Sequence, residues 1–270
     1  MKTIVILTGN ETRHTYFRKK IASSIGIKVL ASFCEGVESS LENILIHNKE
    51  TSALQLFHVK ARSQSELDFF YETINDTKDK SRPIMIKKGE INAENVVKRI
   101  LDLEPDLLVC YGSSLIKSKL VDIFKGKFLN VHLGLSPYYR GSGTNIWPLI
   151  NYEPQFVGAT FMFLDEGIDT GNIIHQISAK YFLGDSPHSI GNRTIKEMTK
   201  VYEKLIKNFD KLTKECQFTT TGKIYKARDF DATACGKLYS NFSKGMICDY
   251  IENNSNFVMP KLVKNRGIIN

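Results

Sequence analysis

Three side chains in this 270-residue sequence carry the types and spacing that a reaction asks for. Asn130 and His132 stand two apart in Phe128-Leu129-Asn130-Val131-His132, and Asp169 lies further on in Leu164-Asp165-Glu166-Gly167-Ile168-Asp169-Thr170-Gly171. In a strand, alternate side chains share a face, so Asn130 and His132 point the same way near its carboxyl end. An amide, an imidazole and a carboxylate suit transfer of a formyl-type acyl group to an amine. Attack by the amine creates a tetrahedral oxyanion, and the amide and a protonated imidazole can each donate to it, worth about 3 kcal/mol per donor in a dry site. An aspartate beside the imidazole favours its charged form and helps to carry a proton from the amine. Neither a metal nor a covalent nucleophile is needed. Taken singly, each residue also has an ordinary role: a histidine bonding at a strand end, an asparagine in a turn, an aspartate satisfying backbone amides.

The surrounding pattern supplies elements able to gather these groups. Lys2 to Leu7 reads as a buried strand, Thr8-Gly9-Asn10 as a turn, and the stretch to Ser24 as helix. Lys28 to Phe33 reads as a second strand, Glu38 to Asp79 as charged helix with Leu41, Ile44 and Leu45 on one face, and Pro83 to Ile86 as a short extended piece. Asn92 is the expected N-cap of a helix whose apolar stripe is Val96, Val97, Ile100 and Leu101. Leu107 to Tyr111 has the continuous apolar character of a central parallel strand, and a helix over Leu120 to Phe124 leads to the strand starting at Phe128. Gly158 to Leu164 and Asn172 to Ser178 read as strands, and Ile190 to Phe209 as a long helix. The alternation predicts an α/β fold with an open, doubly wound, mostly parallel sheet, whose sites lie beyond the strands' carboxyl ends. After Thr219-Thr220-Thr221-Gly222 the composition turns polar and aromatic-dotted, with a helix expected near Gly236 to Ile251. The expected organisation is a catalytic domain over residues 1–215 and a short, partly helical extension over 216–270.

Composition narrows the setting. The apolar and charged fractions, 42% and 24%, are those of a globular chain. No stretch has the length and apolarity of a signal core or membrane span, and the five scattered cysteines lack a C-x-x-C pair, so a reduced, cytoplasmic protein with no membrane association is expected. The net charge of +8 is compatible with an anionic partner or with a solvated basic surface.

The Asn130-Val131-His132 triplet, the following Ser136-Pro137-Tyr138-Tyr139-Arg140-Gly141 and the Gly167-Ile168-Asp169-Thr170-Gly171 loop together resemble the folate-dependent formyltransferase family. The resemblance is close over residues 85–180 and loose from residue 1. That family includes glycinamide ribonucleotide formyltransferase, methionyl-tRNA formyltransferase and the sugar N-formyltransferases. The resemblance implies a Rossmann-like core, 10-formyltetrahydrofolate as co-substrate, and Asn130, His132 and Asp169 as the catalytic trio. It also implies that the pterin is read mainly by backbone, in Ser113, Ser114, Leu115 and Ile116 and in Leu164, Asp165, Glu166, Gly167 and Ile168. Two departures stand out. The family's usual Ser-Leu-Leu-Pro is here Gly134-Leu135-Ser136-Pro137, and the first turn lacks the repeated glycines of the glycinamide ribonucleotide enzymes.

Among family acceptors, the short extension, the altered serine segment and the variable N-terminus favour a nucleotide-linked amino sugar, as in polysaccharide biosynthesis. Methionyl-tRNA enzymes usually carry a larger C-terminal barrel domain, and glycinamide ribonucleotide enzymes usually end near the close of the core. A folate hydrolase would usually have an added N-terminal regulatory domain, and a non-catalytic folate-binding scaffold would not need the trio. The expected partner is therefore a small molecule rather than a nucleic acid, with a homodimer possible. Candidate acceptor contacts are Arg13, His14 and Arg18 on the first helix, and Tyr138, Arg140, Asn145 and Trp147 after the catalytic strand. The cations either grip phosphate or form a solvated face, and the aromatics either meet the acceptor or pack a loop.

Overall fold

The computed structural model describes residues 1–38, 40–218 and 223–268, so the turn expected at Thr219–Gly222 lies outside the described residues. The chain opens with β1 (Lys2–Thr8), α1 (Thr12–Ala22) and β2 (Ile27–Glu35). The long charged stretch is two helices rather than one, α2 (Leu41–His47) and α3 (Ala53–Asp76). The division has a local cause: Ser40 and Ser52 each start a new helix, their hydroxyls accepting from the amides of Asn43 and Gln55. β3 (Pro83–Ile86), α4 (Glu94–Leu101), β4 (Leu107–Tyr111), α5 (Ser118–Ile123) and β5 (Phe128–His132) continue the alternation. Asn92 does not cap α4; Ala93 stands at that position, and Asn92 is used elsewhere, as described below.

After β5 come β6 (Arg140–Gly141), α6 (Trp147–Ile150), β7 (Gly158–Phe163), β8 (Ile173–Ser178) and α7 (Pro187–Lys207). The extension forms β9 (Ile224–Tyr225), α8 (Ala232–Ser243) and α9 (Met246–Glu252). The single helix expected over Gly236–Ile251 is thus two, because Gly245 takes a left-handed φ of 83° between them.

Seven strands form one sheet in the order β3-β2-β1-β4-β5-β7-β8. The first five are parallel, and β7 and β8 are added antiparallel, which is the expected open, mostly parallel α/β sheet. The order runs outward from β1 to β3 and restarts at β4 on the other side of β1. Loops leaving the carboxyl ends of β1 and β4 therefore diverge and leave a crevice between them.

Each face of the sheet is covered by helices. Tyr16, Phe17, Phe70 and Tyr202, from α1, α3 and α7, are buried on one side, and Val96, Ile100 and Leu120, from α4 and α5, on the other. Fully burying such side chains contributes roughly 1.5–3 kcal/mol each. A third cluster joins Trp147 and Leu149 of α6 and Ile190 of α7 to Cys235, Leu238 and Met246 of the extension. The extension also runs along the sheet's edge: the Gln176 amide of β8 donates to the Val263 carbonyl at 2.8 Å, and the buried Asn265 side chain donates to the carbonyls of Ile174 and Thr213. Such cover removes an open strand edge. Among the described residues, no helix is long and apolar enough to cross a membrane.

Candidate active site

A cavity of about 710 Å³ opens at the carboxyl ends of β1, β4 and β5. Asn130 and His132 reach its wall from β5, and Asp169 from the loop between β7 and β8. Asp169 Oδ2 lies 3.2 Å from His132 Nδ1 and accepts from the Gly141 amide at 2.8 Å. His132 Nε2 lies 2.9 Å from the Tyr139 carbonyl and 3.1 Å from the Thr144 hydroxyl. A carbonyl can only accept, so Nε2 carries a proton, and Nδ1 is the ring nitrogen that faces Asp169. Among the described residues, the Asn130 side-chain amide makes no hydrogen bond, which leaves its donors free.

The loop that delivers Asp169 is tightly built. Asp165 accepts from the Gly167 amide at 3.1 Å and the Thr170 hydroxyl at 2.8 Å. A Cβ on Gly171 would stand 1.7 Å from the Phe163 carbonyl oxygen, so only glycine fits there. Asp169 itself has φ 54°, a left-handed conformation uncommon for a residue with a side chain.

On one side of the trio the wall is made of Ser113–Ile116 and of Leu164–Ile168, apart from Glu166, which is not on the wall. These are the two segments expected to read a pterin through their backbones. The first is held from behind. Glu35, fully buried at the end of β2, accepts from the amides of Ser114 at 2.5 Å and Gly89 at 2.8 Å and lies 3.3 Å from Lys88 Nζ. Asn92 donates to the Leu115 carbonyl at 2.9 Å and accepts from the Lys117 amide at 2.7 Å. Neither brace was found from sequence; an acid ending an apolar strand run, Glu35 after Phe33-Cys34, is the signal that could have found the first.

On the other side, α1, α3, α7 and the extension close the cavity. Arg13 reaches it fully engaged, its guanidinium 2.9 Å from Glu11 and 2.8 Å from Glu66. The Glu11 carboxylate sits at the start of α1, where the helix N-terminus would otherwise attract an external anion. Burial alone would raise the Glu11 pKa, but the bond to His14 and the charge of Arg13 outweigh it and hold the carboxyl well below its usual range. Burial, helped by Arg13, pushes the His14 pKa below its ordinary value, and its Nδ1 is engaged with Glu11 at 2.9 Å rather than offered to a phosphate.

Among the described residues, Arg62 of α3 has no hydrogen-bond partner for its buried Nε, which lies 3.9 Å from Glu66. The rings of His58 and His188 pack 4.8 Å apart beside it, and His188 Nε2 is likewise buried without a partner among the described residues. Burial first, and then His188 and Arg62, push His58 down to about 3; burial and Arg62 push His188 down to about 4. These groups were missed because α3 and α7 meet only in the fold.

Asn145 and Trp147 lie on the wall, Trp147 stacked on Tyr225 at 4.4 Å. Three expected contacts do not. Arg18 is buried and spent on Asp79 and Ser81, cross-linking α1 to the segment before β3. Tyr138 packs between Phe156 and Phe218, and Arg140 does not line the cavity.

Comparison with known proteins accords with this architecture. A family profile described as "Formyl transferase" matches residues 44–206. Methionyl-tRNA formyltransferase of Geotalea uraniireducens is 30% identical over 148 residues, 54% of this chain and 44% of that protein, and the Finegoldia magna enzyme is 30% identical over 136 residues, 45% and 43%. The chain thus spans less than half the length of the curated relatives it matches. Among solved structures, a 4-N formyltransferase from Francisella tularensis shares the fold with a TM-score of 0.54 at 23% identity, covering 85% of this chain and 78% of that one. An N-formyltransferase from Helicobacter canadensis, solved with folinic acid and dTDP-3-aminofucose, has a TM-score of 0.56 at 17% identity, covering 90% and 81%. With a family match over more than half its length, on the segment that holds Asn130, His132 and Asp169, this chain belongs to the formyl transferase family.

Proposed function

We propose that this protein moves a formyl group from 10-formyltetrahydrofolate to the amine of a nucleotide-linked amino sugar. The observation that carries the reading is the meeting of Asn130, His132 and Asp169 on one cavity wall, with Asp169 3.2 Å from the His132 ring. Ser113–Ile116 and Leu164–Ile168 would hold the pterin by backbone, a role that suits a strand-end loop whose main chain Glu35 and Asn92 keep in place. When bound, the folate supplies the formyl carbon. The free Asn130 amide and the His132 ring would donate to the oxyanion that develops as the acceptor amine adds to the formyl carbon. Asp169 orients that ring and relays the proton shed by the amine to the folate nitrogen, whose bond to the formyl carbon breaks to leave tetrahydrofolate and the N-formyl product.

The acceptor follows from the opposite wall. Its Arg13, Glu11, Glu66 and Arg62 side chains nearly balance in charge, and the α1 N-terminus is already filled by Glu11. That environment suits a polyol ring better than a ribose phosphate lodged at the first turn, and the aromatic flank of Trp147 adds a surface for a sugar or base. The Helicobacter canadensis protein of similar fold was solved with a nucleotide-linked amino sugar, which supports the reading by analogy. Methionyl-tRNA is the second reading, favoured by the 30% identical relatives. The test is a rate assay with 10-formyltetrahydrofolate and a panel of a dTDP-linked 3-amino sugar, a UDP-linked 4-amino sugar, methionyl-tRNA and glycinamide ribonucleotide. One of the amino sugars should be formylated fastest; preference for the tRNA or the ribonucleotide overturns the acceptor, and no transfer to any amine overturns the reaction.

A further inference from the structure

The extension does more than cap the core, because two of its parts converge on Asp169. The Gln217 side-chain amide donates to the main-chain carbonyls of Asp169 at 2.9 Å and Gly171 at 2.8 Å. From the other direction, β9 pairs with β6, Arg140 against Ile224 and Gly141 against Tyr225, and the Ser142 amide donates to the Tyr225 carbonyl at 2.8 Å. That pairing holds the Gly141 amide where it meets the Asp169 carboxylate. A Cβ on Gly141, whose φ is 97°, would lie 2.2 Å from the Tyr225 carbonyl oxygen, so the strand contact needs a glycine.

Gln217 is itself well located. Two residues before it, Glu215 and Ile173 exchange backbone bonds at 2.8 Å, one residue after the loop ends at Asn172. One residue after it, Phe218 packs on Tyr138. Its two amide protons serve two carbonyls separated by one residue, which freezes the turn on both sides of Thr170. The left-handed φ of 54° at Asp169 is uncommon for a residue with a side chain, though aspartate tolerates it better than most, and the Gln217 bonds hold the backbone there.

We infer that Gln217 is a positioning residue for the transfer reaction: it clamps the main chain around Asp169 so that the carboxylate stays against His132. The inference rests on the reading of Asp169 as part of the reacting trio. It predicts a defect in turnover rather than in binding, since Gln217 meets neither cavity end directly and acts through the loop. Geometry of this kind is worth much, as a displacement of about 1 Å can cost on the order of 100-fold in rate.

The experiment uses the full chain as wild type, Gln217→Leu, Gln217→Asn and, as reference, Asp169→Asn. Readouts are kcat and both KM values with the best acceptor of the panel above, folinic acid affinity by fluorescence, and the nitrogen-15 NMR titration of the His132 ring. Gln217→Leu should lower kcat about ten- to hundredfold, with both KM values and folinic acid affinity within about twofold. Its His132 titration should move towards that of Asp169→Asn. Gln217→Asn, which keeps the amide but retracts it by one methylene, should fall between. Wild-type turnover and titration in Gln217→Leu, with Asp169→Asn impaired, overturns the inference and leaves the trio standing. If circular dichroism shows Gln217→Leu unfolded, wild-type behaviour of Gln217→Asn overturns it instead, and loss of folinic acid affinity in a folded Gln217→Leu overturns it as well. Wild-type turnover of Asp169→Asn overturns both the trio and the clamp.

Discussion

The two ends of the cavity are built on different terms. The end formed by Ser113–Ile116 and Leu164–Ile168 presents main chain, and the side chains that matter there, Glu35 and Asn92, stand behind the loop rather than in the cavity. The end closed by α1, α3, α7 and the extension presents side chains: Arg13, Arg62, Glu66, His58 and His188. A backbone surface offers the same donors and acceptors whatever residues carry them, so it needs only a loop of the right shape. A side-chain surface is particular to its sequence, and where it is charged and buried each group must be answered by another. The difference teaches where variation is tolerated: a shared co-substrate can be met by backbone, and an individual acceptor by individual side chains.

That contrast can be broken most severely at the charged end. Arg13→Ala leaves Glu66 and Glu11 without their hydrogen-bonded cation, with only Arg62 3.9 Å from Glu66, so chemical denaturation should show a loss of up to about 3 kcal/mol. In a cycle of Arg13→Gln, Glu66→Gln and the double variant, the double should lose much less than the sum of the two singles; a loss equal to that sum would show that the pair is not coupled.

Between the two ends, His132→Ala and Asp169→Asn should each lower kcat about 100-fold or more, near 2.7 kcal/mol, with folinic acid affinity nearly unchanged. Wild-type turnover in either removes that residue from the reaction.

At the backbone end, Glu35→Ala removes the acceptor for two loop amides and should cost about 1–3 kcal/mol of stability. It should also raise the KM for 10-formyltetrahydrofolate while leaving that for the acceptor alone. An unchanged folate KM would mean that the loop keeps its shape without the brace.

The remaining effect is a slope in pH. His58 and His188 are held neutral in the fold, at about 3 and about 4, against about 6.5 when unfolded. Below pH 6.5 the unfolded chain binds protons that the folded chain refuses. Stability is therefore complete above that pH and declines as pH falls towards 4, by at most about 1.4 kcal/mol per unit for each ring. His188→Gln should flatten part of the decline in a urea series run from pH 7 to pH 4.5, and an unaltered slope would assign the acid sensitivity to other groups.

Reading the chain from its residues succeeded where physics is local. The apolar runs at Ile4–Leu7 and Leu107–Tyr111 are central strands because a parallel strand is buried on both faces. Asn130 and His132 were legible as a pair because a strand repeats every two residues, and the glycine-punctuated loop around Asp169 because so tight a turn excludes side chains at Gly171. Helix boundaries were less legible: Ser40, Ser52 and Gly245 divide what periodicity alone joins.

What the tertiary structure alone decided is which distant groups answer one another. Arg13 and Arg18 lie on the same short helix and look alike in sequence. Yet Arg13 faces the cavity between Glu11 and Glu66, while Arg18 faces away and is consumed by Asp79 and Ser81. Gln217, 48 positions from Asp169, gives no local hint of its clamp. Pairings of this kind depend on chain crossings hundreds of atoms long, and a polar side chain declares its partner only when burial leaves it no water to bond instead.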